Sequence, residues 1–257
     1  MIVIDRLCYQ SKLRYINASA KFVYAVLTLI LCIASRSAAA AAVVFFVNIY
    51  LTVAKGGIPF ARYVKFLLVP AVFLAASTAA IVVNLSRTPL DAFAIPLGEW
   101  YLTGSVSSVL EGLRLCGKAL AAVTCLYFLS LSTVMTEILG VLKKLRVPGL
   151  VIELMMLIYR FIFLMMETAS AITTSQNSRL GNRDYRTRLR SFGGMASALL
   201  VRSLKRSGTL YDAMEARCYD GELKVLSEDR PAGKKELLCI AGYELLLLGM
   251  AIWSWMR

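Results

Sequence analysis

The sequence predicts an all-α protein: a polytopic membrane helix bundle with long helices on its cytoplasmic side. Three observations predict it. Hydrophobic residues make up 58% of the 257 and charged residues 18%, with mean hydropathy +0.67; a soluble domain is roughly half apolar and a quarter charged. Several apolar runs approach or exceed the roughly 20 residues that cross a bilayer as helix. The positive charge is also bunched, with thirteen of the 29 Lys and Arg lying between Thr174 and Lys235.

The elements follow in chain order. The N-terminal stretch is too polar for the apolar core of a signal peptide, and residues 1–16 read as an amphipathic opening segment with Arg6, Lys12 and Arg14. Asn17 and Ser19 suit the cap of a first span, Ala20 to Ala34. Ser35-Arg36-Ser37 is a short turn. The second span, Ala38 to Ala54, opens with five alanines, small enough for a tight hairpin with the first. Lys55 to Arg62 form a basic loop, and a third span runs from Val64 to Val83 with Pro70 inside it. Residues 84–105 read as a polar loop in which Glu99-Trp100-Tyr101 suits the membrane interface. A fourth span covers Val109 to Leu131, with Glu111, Arg114 and Lys118 in the half that reaches the interface. Ser132 to Pro148 has apolar residues at helical spacing and reads as an amphipathic helix ended by Pro148-Gly149.

Leu150 to Thr173 is apolar and long enough to span, yet Glu153, Arg160 and Glu167 recur every seven residues along nearly one helix face. Parity of the spans decides its placement. Lys and Arg beside span ends mark the inside. The N-terminus, the 55–65 loop and the 132–149 loop are inside by that criterion, two spans apart each time. The Thr174–Lys235 run must also be inside, so Leu150–Thr173 is expected not to cross. A second long helix is expected over Ser191 to Tyr219, after a basic turn at Asn182–Arg190, and 220–235 is a linker. The last span is Glu236 to Trp255. The expected topology is five spans, N-terminus in and C-terminus out. The chain divides into 1–131 with four spans, 132–235 with the cytoplasmic helices, and 236–257 with the C-terminal span.

The residues exclude several chemistries. The net charge of +13 fits cytoplasmic loops that follow the positive-inside bias and meet anionic lipid. Aromatics are not interleaved for base stacking, so no nucleic-acid partner is expected. There is no histidine, which rules out a Ser-His-Asp triad and an HExxH zinc site. No GxxxxGK[ST] loop is present. The six cysteines form no CxxC pair. Met155, Met156, Met165 and Met166 have the softness for copper, but on an apolar helix they read as adaptable packing. No catalytic residue, metal site or cofactor is expected.

Two arginines stand in matched settings: Ser178-Arg179-Leu180 with Gly181 next, and Ala216-Arg217-Cys218 with Gly221 three residues on. Each falls near a helix end, where a glycine can take the left-handed closing position and a cation opposes the helix dipole. Two such arginines on successive cytoplasmic helices suit docking into two similar grooves of a partner.

The opening Ile4-Asp5-Arg6-Leu7-Cys8-Tyr9-Gln10-Ser11, with Leu13-Arg14 and Lys21, resembles the start of CbiQ-type proteins. So do Ser175-Gln176-Asn177-Ser178-Arg179-Leu180-Gly181 and, most specifically, Ala213-Met214-Glu215-Ala216-Arg217-Cys218-Tyr219-Asp220-Gly221. The resemblance covers essentially the whole chain. CbiQ is the transmembrane T component (EcfT family) of cobalt-importing energy-coupling factor (ECF) transporters of the ABC class. The family pattern reads Ala-Arg-Gly or Ala-Arg-Ser where this chain has Ala216-Arg217-Cys218. Asn17 stands where many relatives have aspartate or proline.

The resemblance implies a multi-pass protein of the inner (plasma) membrane. It would hold a substrate-binding membrane subunit against two ABC-type ATPase subunits. Ser178, Arg179, Leu180, Ala216, Arg217 and Cys218 would be the ATPase-coupling residues, on coupling helices. The chain itself would neither hydrolyse ATP nor bind the metal, cobalt or nickel. Glu153, Arg160 and Glu167 are candidate link residues on the first of those helices. The alternative is a stand-alone secondary transporter or membrane enzyme built on Glu111, Arg114, Lys118, Glu153, Arg160 and Glu167. It would call for inverted repeats with broken helices, and none is evident.

Overall fold

The structure is a computed structural model that describes residues 3–35, 37–82, 84–86, 93–97, 100–104, 106–221 and 233–256. Arg36 of the first turn, Pro89, Gly98 and Glu99 of the 84–105 segment, and residues 222–232 of the linker lie outside the described residues. The chain forms two compact units. One comprises Ile2–Ile138 with Glu228–Arg257, the other Leu139–Ser227.

The first unit begins with α1 (Val3–Gln10) and a 3₁₀ turn (Lys12–Tyr15), followed by α2 (Ala18–Ala34) and α3 (Ala38–Tyr50). Asn17 caps α2, its Oδ1 accepting from the Ala20 N–H at 3.1 Å, as expected. α3 runs on into one π-helical turn (Leu51–Lys55), then α4 spans Phe60–Val82. Within the expected 84–105 loop, the described residues form a three-stranded antiparallel sheet, β1 (Asn84–Ser86), β2 (Phe93–Leu97) and β3 (Trp100–Gly104), in the order β1-β3-β2. Ile95 and Leu102 are register partners, as are Leu85 and Leu102. Polar and turn-forming residues mark this stretch as loop; backbone pairing across strands makes its described residues sheet. α5 (Val106–Ser132) and α9 (Lys234–Met256) complete the unit.

The alanines at the start of α3 serve a different neighbour than expected. The principal partner of α3 is α5, not α2. Ala41 and Val44 pack with Ala121 and Cys125 of α5, Cys32 of α2 and Leu247 of α9. Small residues let these backbones approach where lipid gives no hydrophobic drive. Side-chain hydrogen bonds add specificity. Tyr24 donates to Asn48 at 3.1 Å, Asn48 donates to Thr124 and Cys125, and Thr28 donates to Glu244 at 2.8 Å. Pro70 inside α4 cannot donate to the Phe66 carbonyl four residues back. The Tyr127 hydroxyl of α5 donates to that carbonyl at 3.0 Å, so proline and partner are tolerated together. Buried Lys21 donates from Nζ to the carbonyls of Leu13, at 3.2 Å, and of Ser132, at 2.8 Å, closing the C-terminal end of α5.

Among the described residues, five helices are long and apolar enough to cross a membrane: Ala38–Lys55, Phe60–Ala80, Ser107–Ser132, Gly149–Ser178 and Glu236–Ser254. These are not the five expected. Ala18–Ala34 is a shorter apolar helix of about 26 Å at 1.5 Å per residue, and the helix expected not to cross has the needed length.

The second unit contains most of α6 (Met135–Lys144), then α7 (Gly149–Ser178) and α8 (Tyr185–Glu215). α8 starts earlier than expected, so much of the basic turn is already helix. Pro148 does not end α6 but is the N-cap of α7. α6 is closed just beyond Lys144 by Arg146, at φ 63°, with Val147 N–H donating to Leu142 O at 3.3 Å.

Candidate docking site at two helix ends

α7 and α8 run antiparallel side by side. Near the turn between them, the Gln176 amide donates to the Ser191 carbonyl at 2.8 Å and Thr173 donates to Met195 sulfur at 3.4 Å. At the other end, the Tyr219 hydroxyl beyond α8 donates to Glu153 Oε2 near the start of α7 at 2.6 Å. The two arginines therefore sit at opposite ends of one rod. α8 alone, at 31 residues, is about 46 Å long at 1.5 Å per residue.

Both ends close the same way. At the first, Gly181 N–H donates to Gln176 O at 2.8 Å and Leu180 N–H to Asn177 O at 3.1 Å. At the second, Tyr219 N–H donates to Met214 O at 3.1 Å and Cys218 N–H to Glu215 O at 2.9 Å. The pairing, one bond spanning five residues around one spanning three, is the Schellman closure. Leu180 (φ 58°) and Cys218 (φ 56°) hold the left-handed position, so each arginine immediately precedes it.

This corrects the glycine expectation. Gly181 is not the left-handed residue. It is needed for space, since a Cβ there would stand 3.0 Å from both the Gln176 carbonyl and the Ser191 hydroxyl. Gly221 does have positive φ, 93°, but lies beyond the cap. A non-glycine left-handed residue costs about 1–2 kcal/mol, and such strain clusters at functional positions.

Each cap is also tied to the opposite helix through the residue after the left-handed one. Ser191 Oγ donates to the Gly181 carbonyl at 2.6 Å, while Tyr219 donates to Glu153. The Glu153 carboxylate, by accepting that hydrogen, pushes the Tyr219 pKa above the ordinary tyrosine value. Arg179, Leu180, Arg217 and Cys218 are exposed.

Of the three residues on one face of α7, only Glu153 is buried, at 8% exposure; Arg160 and Glu167 are exposed. The structure thus splits the set: Glu153 belongs to the Arg217 cap, and the other two stand along the rod. Sequence reasoning did not single out Gln176, Ser191 or Tyr219 as braces. Gln176 and Tyr219 lie inside the two quoted motifs, but no periodicity tells which residue of another helix they meet. Among the described residues no group of three or more His, Cys, Asp or Glu is placed to hold a metal ion.

Apolar helices of spanning length define a multi-pass membrane protein. Residues 10–226 match the CbiQ family, described as cobalt transport protein, and the chain belongs to that family. It is 29% identical over 257 residues to the uncharacterized protein MJ1089 of Methanocaldococcus jannaschii, covering 97% of this chain and 92% of that one. It is 28% identical over 252 residues to a putative fused cobalt transport protein CbiMQ of Methanocorpusculum labreanum, covering 96% of this chain and 41% of the fusion. Over 140 residues it is 29% identical to the energy-coupling factor transporter transmembrane protein EcfT of Staphylococcus aureus, covering 50% of this chain and 52% of EcfT.

Proposed function

We propose that this chain is the non-catalytic coupling subunit of an ECF-type ABC importer for cobalt or nickel. It transmits the closing of two ABC-type ATPase subunits to a substrate-binding membrane subunit. The observation that carries this reading is the pair of matched arginine caps at opposite ends of the α7–α8 rod. Ser178, Arg179 and Leu180 form one contact, and Ala216, Arg217 and Cys218 the other. A partner made of two similar subunits offers two similar grooves, and two like-shaped cationic ends fit one each. The likeness to EcfT supports the ATPase partners, and the likeness to a CbiM–CbiQ fusion supports a second membrane subunit.

The same geometry supports five spans, α2, α3, α4, α5 and α9, with α7 at the inner face. α8 lies alongside α7 and carries Arg186, Arg188, Arg190, Arg202, Lys205, Arg206, Asp212 and Glu215. If α7 crossed the bilayer, its neighbour would be drawn in too. Arginine or lysine at a helix centre costs about 2.5–3.5 kcal/mol each on insertion scales. α2, at 17 residues, lies within the roughly 17–25 that suffice to span.

The test is Arg179→Glu combined with Arg217→Glu. The double variant inserts into the membrane normally and no longer co-purifies with the ATPases. Wild-type complex assembly by this variant refutes the reading.

A further inference from the structure

The two ends of the rod are braced by different chemistry. The Arg179 end is held by neutral contacts, Ser191 Oγ to the Gly181 carbonyl at 2.6 Å and the Gln176 amide to the Ser191 carbonyl at 2.8 Å. At the Arg217 end, the contact that crosses from the cap to α7 is a phenol donating to a carboxylate, Tyr219 to Glu153 at 2.6 Å. A bond to an ionised acceptor is shorter and stronger than a neutral one. Glu153 is itself buried, at 8% exposure, and a carboxylate so placed is held in by the donors it accepts from.

The backbone N–H of Tyr219 makes the outer bond of the Schellman closure, while its side chain makes the bond across to α7. One residue thus fixes the turn that follows Arg217 and fixes that turn against the rod. Arg217 and Cys218 are exposed and follow a helix in which no residue is buried. The direction in which Arg217 points is therefore set by the closure and its tether.

We propose that Tyr219 and Glu153 are positioning residues that hold Arg217 in the orientation its ATPase groove accepts. The proposal rests on the coupling role above. It gives Glu153 a role different from those of Arg160 and Glu167. Tyr219 acts through Arg217 and makes no contact with the partner of its own.

The experiment uses the full chain in nanodiscs and measures the affinity of the purified ATPase pair for it. Tyr219→Phe removes one hydroxyl and leaves the ring. It is expected to weaken association about fivefold, a coupling of the size found between residues in contact. Glu153→Leu weakens it by a similar factor, and Tyr219→Phe added to Glu153→Leu changes nothing more. Glu153→Gln, which keeps an acceptor, retains most of the affinity. The deciding comparison is between backgrounds. In Arg217→Ala, Tyr219→Phe has no further effect; in Arg179→Ala it still costs about fivefold. An equal loss in both backgrounds makes the pair a general support of the rod and overturns the proposal. An unchanged affinity in otherwise wild-type Tyr219→Phe overturns it as well. If Arg217→Ala alone leaves association intact, the coupling reading itself fails and takes this inference with it, a result distinct from the other two.

Discussion

The two arginine-bearing helix ends have the same backbone and different side chains. Each closes with a five-residue bond around a three-residue bond, and each puts a non-glycine residue at φ near 57°, Leu180 at 58° and Cys218 at 56°. Around that shared frame little else agrees. Serine precedes one arginine and alanine the other. A hydroxyl-to-carbonyl bond ties down one end and a phenol-to-carboxylate bond the other. The difference teaches that what is kept is the place of the guanidinium one residue before the left-handed turn. The brace beneath it is exchangeable. The end of α6 serves as a contrast. It closes the same way, but there the arginine, Arg146 at φ 63°, is itself the left-handed residue, so the same closure does not present a cation in the same way.

The largest test of the comparison is whether both ends lie on one side of the membrane. With the exposed Cys218 and Cys239 replaced by serine, single cysteines at Asn182 and Gly221 should both resist a membrane-impermeant thiol reagent added from outside. A cysteine appended after Arg257 should react. Reaction at Asn182 but not at Gly221 would mean that α7 and α8 both cross, and the two ends would no longer be equivalent; reaction at both, with none beyond Arg257, would mean that α7 alone crosses.

The next test removes one cation at a time. Arginines filling partner grooves are often worth about 2 kcal/mol or more on truncation, roughly thirtyfold in affinity. Arg179→Ala and Arg217→Ala should each cost about that much. Matched losses support two similar grooves, whereas a loss confined to one position leaves a single docking point and undoes the symmetry.

A smaller effect is expected between the ends. Arg160 is exposed midway along α7, and we propose that it helps carry motion along the rod, with Met155, Met156, Met165 and Met166 letting the helix repack. Arg160→Ala should leave assembly and ATP hydrolysis near wild type and lower metal uptake per complex to a fraction of its value. Uptake at the wild-type rate makes α7 passive packing.

Much of this was legible in the sequence. Apolar runs located each long helix, although α8 begins six residues before the expected Ser191, and Asn17 was recognised as a cap. The arginines were found because they echo each other at matched places. What was not legible depended on neighbours distant in sequence. The sheet at 84–104 needs cross-strand pairing that no single run of residues displays. The alanines of α3 signalled close approach without naming α5 as the partner. Leu180 and Cys218 were passed over as the left-handed residues because glycine is the usual choice, and only closure bonds reveal an exception. Glu153 was grouped with Arg160 and Glu167 by spacing, although burial and Tyr219 set it apart.

The smallest expected effect separates backbone from side chain within the caps. Glycine relieves the left-handed strain at either position, so Leu180→Gly and Cys218→Gly should each stabilise the rod by about 1 kcal/mol, read as a small rise in thermal midpoint. Their effects on ATPase association should differ. Leu180 is 67% exposed, an apolar side chain beside Arg179 with no intramolecular burial to justify its strain. If it enters the partner groove, Leu180→Gly weakens association about threefold even as stability rises. Cys218 has a small side chain, so Cys218→Gly should leave affinity unchanged. A loss at Cys218 equal to that at Leu180 would mean that both left-handed residues are held under strain for the partner. The caps would then match in their contacts as well as in their backbone.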